Sequence, residues 1–266
     1  MKNSIRTVLW LLSSFSLPST IKVLRYYIKK KEKTLEGKEY LVRFRYKGRT
    51  VRAMLRENDD DFAILRGIFL NECYKTNKKA DVIFDCGAHL GFASIYYQVF
   101  NPQAKIYCFE PDEDTFRLLK LNMALSNINA RVFDIAVSDK NTISSFEENK
   151  DKPSNSMLSR KKAKEGSEEE EKKETKVIVR RLDTICKFLD IKRISLLKLD
   201  IEGHEIKALN SLGKIKVEEA ICENDSYIYQ GALKEKIKKM FKIKKPNPMW
   251  LKLYGKDDCL IAGQEK

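Results

Sequence analysis

Between residues 82 and 137, short apolar runs alternate with amphipathic stretches. Val82–Cys86 is apolar without alternation, the pattern of a strand buried on both faces. Phe92–Phe100 follows as a helix. Lys105–Phe109 reads as a second strand, Asp114–Ser126 as an amphipathic helix and Arg131–Val137 as a third strand. This rhythm predicts a parallel sheet with right-handed crossovers. It breaks at Glu147–Lys176, which contains SEEEEKKET and almost no apolar residue. Such a segment cannot bury enough surface to order itself, so a charged, disordered loop is expected there. The pattern resumes with strand Val177–Arg180, a helix near Thr184–Leu189, strand Leu196–Leu199, helix Glu205–Leu212, strand Glu219–Glu223 and helix Ala232–Met240. Trp250–Tyr254 and Cys259–Ile261, separated by Gly255-Lys-Asp-Asp, predict a terminal hairpin.

The first 58 residues read differently. Residues 1–31 have a helical pattern. Glu39–Arg45 and Thr50–Leu55 alternate apolar with basic around Lys47-Gly48, a hairpin signal. Asp59–Asp61 can cap a helix through Phe62–Asn71, where Phe62, Leu65, Ile68 and Phe69 recur at helical spacing. The expected organisation is a basic extension over 1–58 and one catalytic domain over 59–266. Val8–Leu17 is apolar over only about ten residues, where a spanning helix needs about 20. No small-x-small cleavage site follows it cleanly. A core or interfacial helix is therefore expected. An interfacial helix would place Trp10 and Phe15 on the apolar side, with Lys22, Arg25 and Lys29–Lys31 toward lipid phosphate.

Charge and cysteines narrow the field. The 266-residue chain has a net charge of +14 and is 42% hydrophobic, enough for a real core. Residues 1–56 hold fifteen Lys/Arg against three acids. A face this basic suits solvent, an anionic membrane or nucleic acid. The six cysteines form no C-x-x-C pair, so a zinc or redox motif has no support. They read as buried thiols of a reducing, cytoplasmic compartment.

The candidate chemistry centres on Asp85-Cys-Gly87-Ala-His-Leu-Gly91, directly after a buried strand and before a helix. Gly87 permits a sharp turn, Gly91 close packing, and the helix N-terminus offers free N–H groups. Parallel α/β sheets bind ligands at this position. The spacing is not G-x-G-x-x-G, and no Gly-Lys-Ser/Thr follows, so a pyrophosphate ligand is disfavoured. Glu110 ends the second strand, where a carboxylate can accept both hydroxyls of an adenosine ribose. Lys198 and Asp200 lie two apart and share a side.

The ordered segments DCGAHLGFAS, CFEPDEDTFRLLKLN, AVSD, RLDTI and LLKLDIEGHE resemble the motifs of the FkbM family of S-adenosylmethionine-dependent methyltransferases. The resemblance covers roughly residues 60–225. It implies a Rossmann-like class I methyltransferase fold, with a doubly wound, mostly parallel seven-stranded sheet and a reversed last strand. It implies that Asp85, Gly87 and Gly91, with Ala88 and His89, shape the methionine pocket. Glu110, followed by Pro111, would hold the ribose. Asp134 and Ala136 would lie beside adenine, and Asp200 near the methyl. Candidates for a general base are Asp200, Glu202 and His204. Tyr74, Asn155, Asp183, Glu223 and Asn224 lie at the expected edge of the site. Asp183 is also readable as a helix N-cap. No third ligand accompanies Asp200 and Glu202, so no metal is expected.

Three functions compete. The first is O-methylation of a sugar, glycolipid or small molecule, with peripheral contact to an anionic membrane through the basic N-terminus. The second is an RNA methyltransferase, which lacks N-P-P-Y and Pro-Cys motifs and an aromatic platform. The third is a non-catalytic, membrane-associated module that only binds the cofactor.

Overall fold

The computed structural model describes residues 2–263, apart from 59, 77–78, 148–173, 224–231, 233–235, 237–241 and 245–258. Five parallel strands make the centre: β3 (Val82–Cys86), β4 (Lys105–Phe109), β5 (Ala130–Phe133), β9 (Arg193–Leu199) and β10 (Lys216–Glu223). Two further strands, β11 (Lys242–Lys244) and β12 (Cys259–Gly263), complete a seven-stranded sheet of order β11-β12-β10-β9-β3-β4-β5. β12 runs antiparallel to β10, which is the reversed last strand of the class I methyltransferase fold.

Successive residues of each central strand enter opposite hydrophobic clusters, as the two-residue side-chain period requires. Ile83, Ile106 and Leu196 pack on one face with α3 (Asp61–Phe69), α4 (Phe92–Phe100) and α5 (Glu113–Leu125). Phe84, Tyr107 and Leu197 pack on the other with α6 (Leu182–Phe188) and α7 (Glu205–Asn210). Burial on both faces explains why these strands are apolar without alternation. The five described cysteines outside β12 are free and buried.

Several elements differ from the sequence-based expectation. The strand expected over Arg131–Val137 is two. β5 is the sheet's edge, and the chain leaves it at Asp134. It then enters β6 (Ile135–Ser138), which pairs parallel with β8 (Glu174–Arg181); β8 in turn pairs antiparallel with β7 (Thr142–Glu147). The charged segment is therefore shorter than expected, because Glu147 and Glu174–Lys176 are strand residues; 148–173 lie outside the described residues. β12 pairs with β10 and Lys242–Lys244, whereas Trp250–Tyr254 and most of Ala232–Met240 are outside the described residues. The N-cap of α6 is Arg181, so Asp183 lies in the first turn and pairs with Arg181 at 2.7 Å. The N-cap of α3 is Asp60 without a side-chain cap bond, and Asp61 instead pairs with Arg56.

The N-terminal segment is two helices, α1 (Lys2–Ser14) and α2 (Leu17–Glu32). Pro18 in the first turn of α2 favours a fresh start there. Between the helices, Phe15 bridges to Phe44 of β1 (Glu39–Tyr46), and the Ser16 N–H donates to the Arg43 carbonyl. β1 forms a hairpin with β2 (Arg49–Arg56) around Lys47-Gly48, as its alternation predicts. Trp10 and Phe15 do not face outward. Their rings lie 4.9 Å apart, and Phe15 stacks on Phe44 at 4.8 Å. Both belong to the cluster that holds Ile83, so the extension shares a core with the sheet. Aromatic burial against the hairpin takes precedence over any outward role for these rings. Among the described residues, no helix is long and apolar enough to cross a membrane.

Candidate functional site

Strand order reverses between β3 and its parallel neighbour β9, and a cleft of about 420 Å3 opens at their carboxyl ends. The Gly87 and Ala88 N–H groups both donate to the Phe109 carbonyl at 3.0 Å, which pins the glycine turn to the end of β4. The Asp200 N–H donates to the Cys86 carbonyl across the switch point. Gly87 has φ +71°, and a Cβ there would collide with the Asp200 carbonyl. Its small size therefore serves the junction of two loops as much as any ligand. Gly91, at φ +81°, packs against Met123 and Leu119 of α5 and does not line the cleft.

Behind this junction stands a buried charge network. Lys198 Nζ lies 3.1 Å from Asp85 Oδ1 and 3.5 Å from Asp200 Oδ2, and donates to the Gly87 carbonyl at 2.8 Å. Burial works against the Lys198 charge, but Asp85 and Asp200 outweigh it and raise its pKa. Ser94 Oγ donates to Asp85 Oδ2 at 2.7 Å. Asp85 is fully buried and lies beneath the cleft, not in its lining, so it acts there through Lys198. The Tyr74 hydroxyl donates to Asp200 Oδ2 at 2.7 Å. Burial opposes ionisation of Asp200, yet Lys198, Glu223 and Tyr74 hold its pKa below the usual range. The Asp200 charge, then burial, pushes Glu223 well above the usual range. The negative charge of the pair is therefore favoured on Asp200, and the protonated form on Glu223.

Glu110 sits where the second strand ends, as its position in the sequence implies. Its Oε2 accepts the His89 N–H at 2.8 Å and its Oε1 the Asp112 N–H at 3.0 Å. Burial raises its pKa to about 7, against the pull of these two bonds. His89 lines the cleft at φ +50°, and its Nε2 meets Arg56 Nη2 at 2.9 Å. Burial keeps its imidazole neutral. Arg56 donates there, so Nδ1 carries the proton, and it has no hydrogen-bond partner among the described residues. His204 also lines the cleft, with Nδ1 2.9 Å from Ser138 Oγ. Burial, then Lys207, lowers its pKa to about 4, which keeps the ring neutral near pH 7.

The other expected positions divide. Ala88, Pro111, Ala136, Glu202, Tyr74 and Glu223 line the cleft. Asp134 is exposed and outside the lining, which Ile135, Ala136 and Val137 provide in its place. Asp183 lies away from the lining, beside Gly213. Asn155 and Asn224 are outside the described residues. Among the described residues no cluster of acids, histidines or cysteines could hold a metal.

Arg56, Asn58 and Asp61 line the cleft from the extension side and were not legible in the sequence. Arg56 grips the fully buried Asp61 through Nε–Oδ2 and Nη2–Oδ1 contacts of 3.0 Å, and Asn58 Nδ2 adds a third at 2.9 Å. Burial opposes the Asp61 charge, but Arg56 holds it ionised. Arg56 ends a strand that also carries Arg49 and Arg52, so nothing in the local pattern distinguishes it.

The cleft lining differs in charge from the molecule as a whole. Asp60, Asp61, Glu110 and Asp112 come from the loops after β2 and β4, and Asp200, Glu202 and Glu223 from the ends of β9 and β10. Among the described residues, two permanent cations, Arg56 and Lys198, stand against these seven carboxyl groups. Such a lining suits a cationic ligand rich in hydroxyl groups.

The FkbM methyltransferase domain model matches residues 85–243. The chain belongs to this family. Methyltransferase 1 of Beauveria bassiana (strain ARSEF 2860) is 30% identical over 166 residues, 56% of this chain and 66% of that one. Methyltransferase sdnD of Sordaria araneosa is 32% identical over 177 residues, 56% of this chain and 68% of that one. The 31-O-demethyl-FK506 methyltransferase FkbM of Streptomyces tacrolimicus is 31% identical over 81 residues, 29% of this chain and 31% of that one. The chain thus spans about two thirds of its fungal relatives and less of the bacterial one. Among solved structures, methyltransferase FkbM from Methylobacillus flagellatus KT superposes with a TM-score of 0.43 at 16% identity, over 69% of this chain and 43% of that one.

Proposed function

We propose that this FkbM-family chain binds S-adenosylmethionine in the acid-lined cleft and methylates a hydroxyl of a sugar, glycolipid or small molecule. The observation that carries the reading is the cleft itself, where seven carboxyl groups and two cations line a pocket in a protein of net charge +14. A sulfonium and an ammonium gain there from the surrounding negative potential. The residues present fit the remaining groups of the cofactor. Each oxygen of Glu110 accepts one backbone N–H and keeps a lone pair for a ribose hydroxyl. Ile135, Ala136 and Val137 offer an apolar wall for adenine. Bound there, S-adenosylmethionine supplies an electrophilic methyl group.

The chain's part in the reaction is placement and removal of one proton. Asp200 and Glu223 face the cleft together, with ionisation favoured on Asp200 and protonation on Glu223. An acceptor hydroxyl would donate to the Asp200 carboxylate, which would take the proton as the oxygen–methyl bond forms, while the sulfur–methyl bond of the cofactor breaks and its demethylated form leaves. Lys198 and Tyr74 hold that carboxylate in place. The name of the Streptomyces tacrolimicus relative specifies an O-demethyl acceptor, which supports an oxygen nucleophile. The carboxyl lining disfavours a polyanionic acceptor such as RNA.

Calorimetry with S-adenosylmethionine and its demethylated product, followed by labelled-methyl transfer to hydroxylated acceptors, tests the reading. Asp200→Asn should lower transfer by roughly 10²–10⁴-fold, the usual contribution of a general base. Glu223→Gln keeps the neutral side chain and should lower it far less. No binding of either cofactor form would refute the proposal. Binding without transfer to any hydroxyl, amine or RNA acceptor would favour the non-catalytic module.

A further inference from the structure

The helices α1 and α2 bury one side and leave the other apolar. Trp10, Leu11, Val23 and Tyr26 enter the core. On the opposite side of α1, Ile5, Val8, Leu9 and Leu12 recur at i, i+3, i+4 and i+7, and Leu9 and Leu12 are 61% and 68% exposed. On α2, Leu17, Ile21, Leu24 and Ile28 form a second stripe, from 42% to 73% exposed. Eight aliphatic side chains on two neighbouring helices exceed the scattered exposure of an ordinary surface.

We propose that this outward face of α1 and α2 docks on an anionic phospholipid bilayer. Charge selects the occupant. Residues 1–31 contain seven Lys/Arg and no acid. Lys22 and Arg25 are exposed on the flank of the α2 stripe, and Lys22 Nζ donates to the Leu41 carbonyl, so that flank runs beside β1. The exposed face of the hairpin adds Arg43 and Arg45, with Arg52 paired in register across from Arg43. Like charges facing each other across a hairpin cost stability unless an anion lies over them. Lys29 is engaged by Glu57 at 2.9 Å and contributes less.

A second copy of the chain fits this face poorly, because a symmetric contact would set cations against cations. Nucleic acid fits poorly as well, since aliphatic side chains offer no stacking platform. The helices, of 13 and 16 residues, lie in the interface plane without spanning it. The lipid-facing residues are the aliphatic stripes, not Trp10 and Phe15.

Flotation of the full chain with phosphatidylcholine vesicles, with and without phosphatidylglycerol, tests the proposal. The chain should float with the anionic vesicles, and high salt should weaken its binding. Arg25→Glu/Arg43→Glu should lower the partition coefficient at least about tenfold on anionic vesicles, since each surface cation contributes about 1 kcal/mol there. Leu9→Glu/Leu24→Glu should abolish flotation while cofactor calorimetry and thermal unfolding stay as in the parent. The proposal fails if the parent ignores anionic vesicles, or if the leucine variant floats as well as the parent. It also fails if light scattering without lipid shows a dimer that the leucine variant dissolves, which would assign the face to a second copy.

Discussion

At Gly87 two demands meet in one residue. The turn requires φ +71°, and the Asp200 backbone fills the space a side chain would occupy. Gly91 shares the positive φ, but its neighbours are the flexible ends of Met123 and Leu119. Gly87→Ala should therefore cost at least ~2 kcal/mol through strain and a displaced loop, and weaken cofactor binding. Gly91→Ala should cost less, about 1–2 kcal/mol from the left-handed backbone alone. Urea unfolding of both variants beside the parent gives the comparison; equal costs would contradict this account. Glu110 has its own signature. Its carboxyl without ligand titrates at about 7, and ribose hydroxyls donate only to the ionised form well. Cofactor affinity should rise as pH increases through 7 and level off above it. Calorimetry at several pH values reads this directly, and Glu110→Gln should flatten the profile and weaken binding throughout.

At the scale of elements, the hairpin and α3 carry more of the site than their position in the chain suggests. Arg56 closes β2 and holds the fully buried carboxylate of Asp61, at the start of α3, in an ion pair. It also touches Thr115 of α5 and His89 of the glycine turn. Removing one partner strands a buried charge, so Arg56→Ala should destabilise by about 3–5 kcal/mol. Arg56→Met/Asp61→Leu should cost less than the single change, although it disturbs the cleft. A double-mutant cycle in urea measures the difference. These contacts were invisible in the chain's pattern. Asp61 reads locally as an N-terminal cap, and only the approach of β2 turns it inward. The same holds for the break between α1 and α2. Pro18 signals a new helix, but the Phe15–Phe44 bridge sets where the first one stops.

Across the whole molecule, charge is segregated. Of the net +14, a balance of twelve falls within residues 1–56, while the cleft is lined mainly by acids. A ligand that fits the cleft binds only the folded chain. S-adenosylmethionine or its demethylated product at about 100 times Kd should contribute ~2.7 kcal/mol and raise Tm by roughly 5–10 °C for a chain of this size. An unchanged Tm at such a concentration would argue against the cleft as the binding site.

The sequence by itself determined the central sheet, the glycine turn and the acid after the second strand. These depend on short-range rules: burial on both faces makes a strand uniformly apolar, and a ligand-binding turn needs glycine where φ is positive. It also determined the family, because five motifs keep their order from Asp85 to Glu205. Tertiary structure alone decided which of these residues meet. It put Asp85 beneath the cleft, Asp134 outside it and Arg56 within it. It turned Trp10 and Phe15 inward and Leu9, Leu12, Leu17 and Leu24 outward. Such outcomes depend on contacts between residues distant in the chain, and no local spacing encodes which side of a helix or strand another element will cover.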